Sequence, residues 1–167
     1  MASREEDVGI RRVIACFSPG YGRRPEHVAR LAQELEAELQ GLFIEDVELL
    51  RFASLPFARE IGIASAQARS MDVASLERQL RAQARALEQA LEAILGPGPT
   101  GWSLRVERSS PLVAIEAVLA HLLEPALLIP PGGRLAGERR RVKKKELTKQ
   151  ALKQWLAAGR PVIILPE

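Results

Sequence analysis

Cysteine, histidine and aromatic residues are scarce in this chain of 167 residues, and their scarcity excludes several kinds of site. Cys16 is the single cysteine, so neither an intramolecular disulfide nor a cysteine-cluster metal site can form. The two histidines, His27 and His121, are far apart in sequence, which argues against a zinc enzyme. Long apolar runs are also lacking, since no stretch approaches the roughly 18 apolar residues that a membrane helix needs.

The amino-terminal residues carry acid where a secretory signal peptide carries base, and the apolar run at residues 13–17 is too short to be its core. Hydrophobic residues make up 47% of the chain and charged residues 27%, which is typical of a folded globular protein. We therefore expect one domain spanning residues 1–167, located in the cytoplasm and without membrane contact.

The net charge of +3 conceals an asymmetry along the chain. Residues 1–125 hold 14 Lys and Arg against 18 Asp and Glu, whereas residues 126–167 hold 10 against 3. Such a distribution indicates either an anionic partner near the carboxyl-terminal segment or a basic surface that an acidic neighbour offsets.

Apolar periodicity predicts strands that alternate with helices. The strands are expected at residues 13–17, 42–44, 102–106, 126–129 and 162–165, with the third at an edge of the sheet. Helices are expected from Pro25 to a stop at Gly41, from Val73 to Ile94, from Pro111 to Leu122, and from Leu147 to a stop at Gly159. This order predicts an α/β fold, namely a doubly wound five-stranded parallel sheet of the Rossmann-like type with helices on both faces.

Ligands of such sheets bind beyond the carboxyl ends of the strands, where the strand order reverses. The loops expected there are residues 18–24 and 130–137. The last strand is apolar on both faces, and we place it at the edge of the sheet, where it would pair with a second copy. Its candidate dimer-interface residues are Val162, Ile163, Ile164 and Leu165.

Four segments resemble the universal stress protein family, whose fold is similar to that of the adenine nucleotide alpha hydrolases. Residues 41–46 (GLFIED) resemble the second strand of that family, and residues 109–115 (SSPLVAI) its entry into the third helix. Residues 125–133 (PALLIPPGG) resemble its fourth strand and glycine loop, and residues 160–166 (RPVIILP) its last strand. The resemblance covers nearly the whole chain and also implies a homodimer formed through the last strand.

Nucleotide-binding members of that family carry an Asp after strand one and the pattern G-2x-G-9x-G-[S/T]. This chain has Cys16-Phe17-Ser18 where those members have the Asp. It spaces Gly133 and Gly137 by three residues and has Leu147 at the next glycine position. The resemblance therefore implies weak or lost adenine-nucleotide binding, with ATP or AMP as the possible cofactor. The candidate nucleotide-binding residues are Phe17, Ser18, Pro19, Gly20, Ile44, Gly132, Gly133, Gly137 and Thr148.

The run RRRVKKK at residues 139–145 supplies the candidate anion-binding residues Arg139, Arg140, Arg141, Lys143, Lys144 and Lys145. A helix would spread these charges around all its sides, so we expect a solvated helix extension, with a phosphate clamp or a nucleic-acid contact as alternatives. No aromatic residue is interleaved with the run, which makes nucleic acid the weaker alternative.

The cysteine, the two histidines and the acidic pair after the second strand are each expected to have a structural role and not a catalytic one. Cys16 is expected inside a central strand, and His27 and His121 near helix ends. Glu45 and Asp46 are expected to form a solvated strand end, with a ribose hydroxyl or a basic partner as the alternative contact. Residues 49–61 are expected to pack against the sheet, with a lid or a partner-binding surface as the alternative.

The sequence shows no nucleophile–base pair, no paired catalytic carboxylates and no Walker loop. We therefore expect a non-enzymatic, stress-protein-like regulatory domain that forms a homodimer and acts through contacts with an unidentified protein partner. One alternative is a switch that binds ATP, AMP or another phosphorylated ligand through the loop after strand four and the basic run. The other is a nucleic-acid accessory protein that uses residues 139–145.

Overall fold

The computed structural model describes residues 9–19, 25–46, 73–132, 134–135 and 139–166. Within them lie four helices, six strands and one 3-10 turn. In chain order these are β1 (Arg12–Phe17), α1 (Pro25–Glu34), β2 (Glu38–Glu45), α2 (Val73–Leu95), β3 (Trp102–Arg108), α3 (Pro111–Ala120), β4 (Ala126–Ile129), β5 (Arg140–Lys143), the 3-10 turn (Lys144–Glu146), α4 (Lys149–Ala158) and β6 (Val162–Leu165).

The six strands form one sheet in the order β3-β2-β1-β4-β6-β5. Strands β1 to β4 are parallel to one another, β6 is antiparallel to β4, and β5 is parallel to β6. The α/β class and the mostly parallel sheet are as the sequence predicts and are compatible with a Rossmann-like fold. The prediction of five parallel strands is wrong, because the sheet has a sixth strand and its last two strands run against the rest.

Helices cover both faces of the sheet, so two apolar cores form. Helices α1 and α2 pack on one face, against side chains such as Val13, Phe17 and Ile163. Helices α3 and α4 pack on the other, against side chains such as Ile14 and Ile164. Because successive side chains of a strand point to opposite faces, β1 contributes to both cores and is buried along most of its length.

The last strand is not at the edge of the sheet, which corrects the sequence prediction. Strand β6 lies between β4 and β5, and Val162, Ile163 and Ile164 are buried. A strand that is apolar on both faces is what a central position requires, since helices cover it on both sides. Val162, Ile163 and Ile164 are paired with β4 and with β5, and Leu165 is paired with Lys143, so β6 is not the open edge at which these four residues were predicted to pair with a second copy.

The basic run forms the edge strand instead of a helix extension. Arg140–Lys143 is β5, and only the next three residues adopt a helical turn, of the 3-10 type. Val142 pairs with Ile164 in the register and packs partly against the core beside α4. The charged neighbours of Val142 are exposed, as suits a short strand at the end of a sheet.

The first helix ends earlier than predicted. Helix α1 stops at Glu34, and Glu36 adopts a left-handed conformation with φ of 52°. Gly41 therefore lies inside β2 rather than at a helix terminus. A Cβ atom on Gly41 would lie 2.9 Å from Leu104 Cδ1, so this glycine permits the close approach of a β3 side chain.

Among the described residues, none of the helices is both long enough and apolar enough to span a bilayer.

Candidate functional site

The strand order reverses beside β1, as predicted for the ligand crevice. Strand β1 pairs with β2 on one side and β4 on the other, and Ala15 is in register with Ile129. The segments that follow β1 and β4 therefore leave the sheet together, at what we call its carboxyl end. Ser18 and Pro19 are half-buried there, and Gly132 is exposed with φ of 65°.

Two of the predicted nucleotide-binding residues have side chains that belong to the apolar cores. Phe17 packs on the face covered by α1 and α2, and Ile44 packs on the face covered by α3 and α4. Gly20, Gly133, Gly137 and the apolar segment 49–61 lie outside the described residues.

Thr148 lies at the opposite end of the sheet from Ser18 and Gly132, which corrects its predicted place in a phosphate loop. Strands β6 and β5 begin at the carboxyl end, since Val162 pairs with Leu128 and Arg140 pairs with Val162. Strand β5 therefore delivers the chain to the other end before α4 starts. There the Thr148 hydroxyl accepts a hydrogen bond from the Ala151 N–H at 3.2 Å and caps α4.

The basic run is divided between the two ends of the sheet, so it does not form one anion clamp. Arg139 and Arg140 lie at the carboxyl end, whereas Lys143, Lys144 and Lys145 lie at the other. The Lys144 ammonium donates to the carbonyl oxygens of Ala120 at 3.2 Å and Leu122 at 3.4 Å. Ala120 is the last residue of α3 and Leu122 lies two residues beyond it, so Lys144 caps that helix and ties the edge of the sheet to it.

A groove between β5 and α4 brings together residues that the sequence analysis did not connect. Its volume is about 910 Å³. We call it the β5–α4 groove. It is lined by Arg139, Arg140, Arg141, Val142, Glu146, Leu147, Ala151, Gln154, Trp155, Ala158, Arg160, Pro161 and Val162.

The β5–α4 groove has an apolar floor and a cluster of arginines at one end. Val142, Leu147 and Trp155 pack against the core beneath it. Arg139, Arg140 and Arg160 lie toward the carboxyl end of the sheet, while Glu146 lies in the turn at the other end. The groove can therefore hold an extended chain with apolar and acidic side chains, its acidic portion beside the arginines.

Two hydrogen bonds fix the arginine end of the groove. The Trp155 indole N–H donates to the Arg160 carbonyl at 2.6 Å, which joins α4 to the residue two places before β6. Arg139 Nη2 donates to the Leu135 carbonyl at 3.3 Å, and Leu135 packs against the core on the other face, which α1 and α2 cover. Partial burial lowers the pKa of Arg139 from its ordinary value because desolvation disfavours the cation, yet an arginine stays charged at neutral pH.

Glu45 is buried, in contrast to the solvated strand end that was predicted. Its carboxylate accepts from Arg108 Nε at 3.2 Å, and Arg108 Nη1 lies 3.4 Å from the Glu77 carboxylate on α2. The basic partner proposed as an alternative is thus a residue of β3 in the same chain. This network closes the carboxyl end of β2, away from the β5–α4 groove.

The structural interpretation of Cys16 is confirmed, since its thiol is buried inside β1. His27 is exposed in the first turn of α1, and His121 is the exposed residue that follows α3. Within the described part of the chain, no three His, Cys, Asp or Glu residues are grouped as metal ligands.

One feature of the sequence, Trp155, belongs to the groove, but its helical spacing alone does not distinguish a groove residue from a core residue. Leu152 and Trp155 are spaced so that a helix brings them to one apolar face, but only Leu152 is fully buried. A half-buried tryptophan is recognisable only once β5 is known to lie beside α4.

Comparison with protein-family models and with curated proteins produced no match for this chain.

Proposed function

We propose that this chain is a non-enzymatic regulatory domain, similar in design to universal stress proteins, that binds an acidic segment of a partner protein in the β5–α4 groove. The observation that carries the proposal is the meeting of Arg139, Arg140 and Arg160 with an apolar floor that includes Trp155. Protein interfaces are enriched in arginine and tryptophan, because both combine large contact area with directed hydrogen bonds.

The chemistry of the groove favours a polypeptide over a nucleic acid. Guanidinium groups pair with carboxylates through two parallel hydrogen bonds, so clustered arginines suit Asp and Glu side chains. Glu146 lines the other end of the same groove, so the arginines form a short cluster and not a basic track along which a phosphate backbone would run. The three lysines of the basic run lie at the far end of the sheet, and Lys144 is engaged with the end of α3.

A direct test measures the binding of a fluorescein-labelled, capped peptide of alternating Glu and Val by fluorescence anisotropy. Wild-type protein is expected to bind this peptide at low salt and to lose affinity as salt rises, because exposed charges are screened. The double variant Arg140→Glu/Arg160→Glu should weaken binding at least tenfold, because both arginines line the groove. A peptide of alternating Lys and Val should not bind.

The matched control is Arg85→Glu, which reverses an exposed arginine on α2 outside the groove. Both variants are checked by thermal unfolding, so that a folding defect is not read as a binding defect. Equal affinity of wild type and the groove variant for the Glu-Val peptide would refute the proposal. So would a loss of affinity in the Arg85→Glu control that matches the loss in the groove variant.

A second candidate function is the binding of a phosphorylated small molecule at the crevice beyond β1 and β4. The observation that favours it is the reversal of strand order there, which brings Ser18 and Gly132 to the same end of the sheet. In a parallel calorimetry experiment, ATP and AMP are titrated into the wild type and into the groove variant. Nucleotide binding that the groove variant retains, together with no peptide binding, would favour the crevice.

A further inference from the structure

The two outer strands of the sheet differ in charge pattern, and the difference points to separate partners. Strand β5 at one edge reads RRVK, so pairing it with its own copy would set like charges against each other. Strand β3 at the other edge reads WSLRVER and carries both signs. Among the described residues, β2 is the one strand that pairs with β3.

We propose that β3 is the homodimer interface of this protein, and that two copies pair antiparallel about a twofold axis through Val106. Strand β3 is seven residues long and is paired in continuous register with β2, so its outward backbone groups form a regular row that a second strand can pair with. Val106 is 49% exposed, which is high for a large apolar side chain in a sheet.

The backbone of β3 fixes which residues can meet across the axis. The Leu39 N–H donates to the carbonyl of Gly101, so Gly101 directs its backbone groups toward β2. Backbone groups alternate in direction along a strand, which turns the N–H and C=O groups of Leu104 and Val106 outward. Val106 can therefore form a hydrogen-bonded pair with Val106 of a second copy.

This register is complementary in charge. With Val106 on the axis, Arg105 of each copy lies opposite Glu107 of the other, so the interface contains two opposite-charge pairs. These are the non-hydrogen-bonded positions, where opposing side chains are closest. Arg105 and Glu107 already form an ion pair within one chain, so pairing two copies assembles four alternating charges on one face of the joined sheet.

Other antiparallel registers lack this match. An axis through Arg105 or through Glu107 sets identical charges directly opposite each other, which is destabilising. An axis through Leu104 sets Arg105 opposite Ser103 and forms no opposite-charge pair. Self-complementarity thus selects Val106 as the centre of the interface.

The test is sedimentation velocity over a wide concentration range, using the full chain. Wild type is expected to shift from monomer to dimer as concentration rises. Arg105→Glu alone and Glu107→Arg alone should each weaken dimerisation at least tenfold, because each sets like charges opposite each other twice. The double variant Arg105→Glu/Glu107→Arg should dimerise like wild type, since the swap restores both pairs.

An equal mixture of the two single variants provides a check that a folding defect cannot imitate. In the mixed dimer each new side chain faces its opposite, so the mixture should dimerise although neither variant does so alone. Arg85→Glu on α2 is the control and should behave as wild type. A wild type that stays monomeric at all concentrations, single variants that dimerise like wild type, or a mixture that stays monomeric would each overturn the proposal. A dimer weakened by Arg141→Glu and not by Arg105→Glu would place the contact on β5 and overturn it too.

Discussion

At the scale of single residues, the carboxylate of Glu45 makes Arg108 a stabilising residue. Glu45 is only 5% exposed, and a charge in that position needs a partner because burial removes most of its hydration. Arg108 lies in register with Glu45 on the neighbouring strand and also reaches Glu77 on α2. One guanidinium therefore connects two strands and a helix.

Replacing Arg108 with Met should destabilise the protein, because it leaves the Glu45 carboxylate buried without its partner. We expect a loss of about 1–2 kcal/mol in the free energy of unfolding, less than for a fully buried pair because the Arg108 side chain is 52% exposed. Urea denaturation measures this loss.

The double variant Glu45→Gln/Arg108→Met is the informative control. Removing the buried charge together with its partner should recover most of the stability. If the double variant is as unstable as Arg108→Met alone, the loss comes from packing of the arginine stem and not from the orphaned carboxylate.

At the scale of elements, helix α4 shows how a residue matched to a binding motif can instead serve a helix. Thr148 accepts a hydrogen bond from the Ala151 N–H, and Gly159 ends the helix in a left-handed conformation with φ of 66°. Thr148 is thus an ordinary N-cap of α4, and Gly159 is an ordinary C-cap. Thr148 matches the [S/T] position of the family pattern in residue type. It lies, however, at the end of the sheet opposite to the predicted phosphate loop.

Thr148→Ala should lower the free energy of unfolding by about 1 kcal/mol, since it removes the side-chain acceptor at the start of α4. Thr148→Ser keeps the hydroxyl and should stay near wild type. Thermal and urea unfolding of the two variants give the comparison. A Thr148→Ala variant with unchanged stability would argue against the capping role.

Much of the element content followed from the sequence, while the arrangement of the carboxyl-terminal part did not. The start of α3 at Pro111, the stop of α4 at Gly159 and the apolar spacing of α2 are local signals, and each of them located its helix in the sequence. The direction of β6 depends on where β5 lies. Strand β5 has one apolar residue, Val142, among charged neighbours, so periodicity could not reveal it.

The same reason explains what was missed in the candidate site. Ser18 and Gly132 were placed correctly at the carboxyl end because parallel order fixed where β1 and β4 end. The β5–α4 groove depends on an unpredicted strand. The prediction that Gly41 stops the first helix was wrong because the close approach of Leu104, a residue distant in sequence, is what this glycine permits.

At the scale of the whole molecule, the sheet passes from a buried centre to two exposed edges of different character. Strands β1 and β4 each have neighbours on both sides, whereas β3 and β5 end the sheet. Strand β4 is buried throughout, while three of the four β5 residues are exposed. Local opening should therefore begin at the edges rather than at the centre.

Amide hydrogen exchange measured by NMR at low protein concentration should show this gradient. We expect the amides of β1 to exchange on the order of 100-fold more slowly than those of β5, since opening β1 requires both cores to separate. Equal protection of β1 and β5 would mean that β5 does not end the sheet in solution.

The reversed course of the last two strands also reverses the dipole of α4. Helices α1 to α3 each follow a strand that ends at the carboxyl end of the sheet, so their positive amino termini begin there. Helix α4 begins at the other end and brings its negative terminus toward Arg160. An anion in the β5–α4 groove therefore meets no favourable helix terminus, and the arginine side chains must overcome the field of α4 as well as supply the attraction.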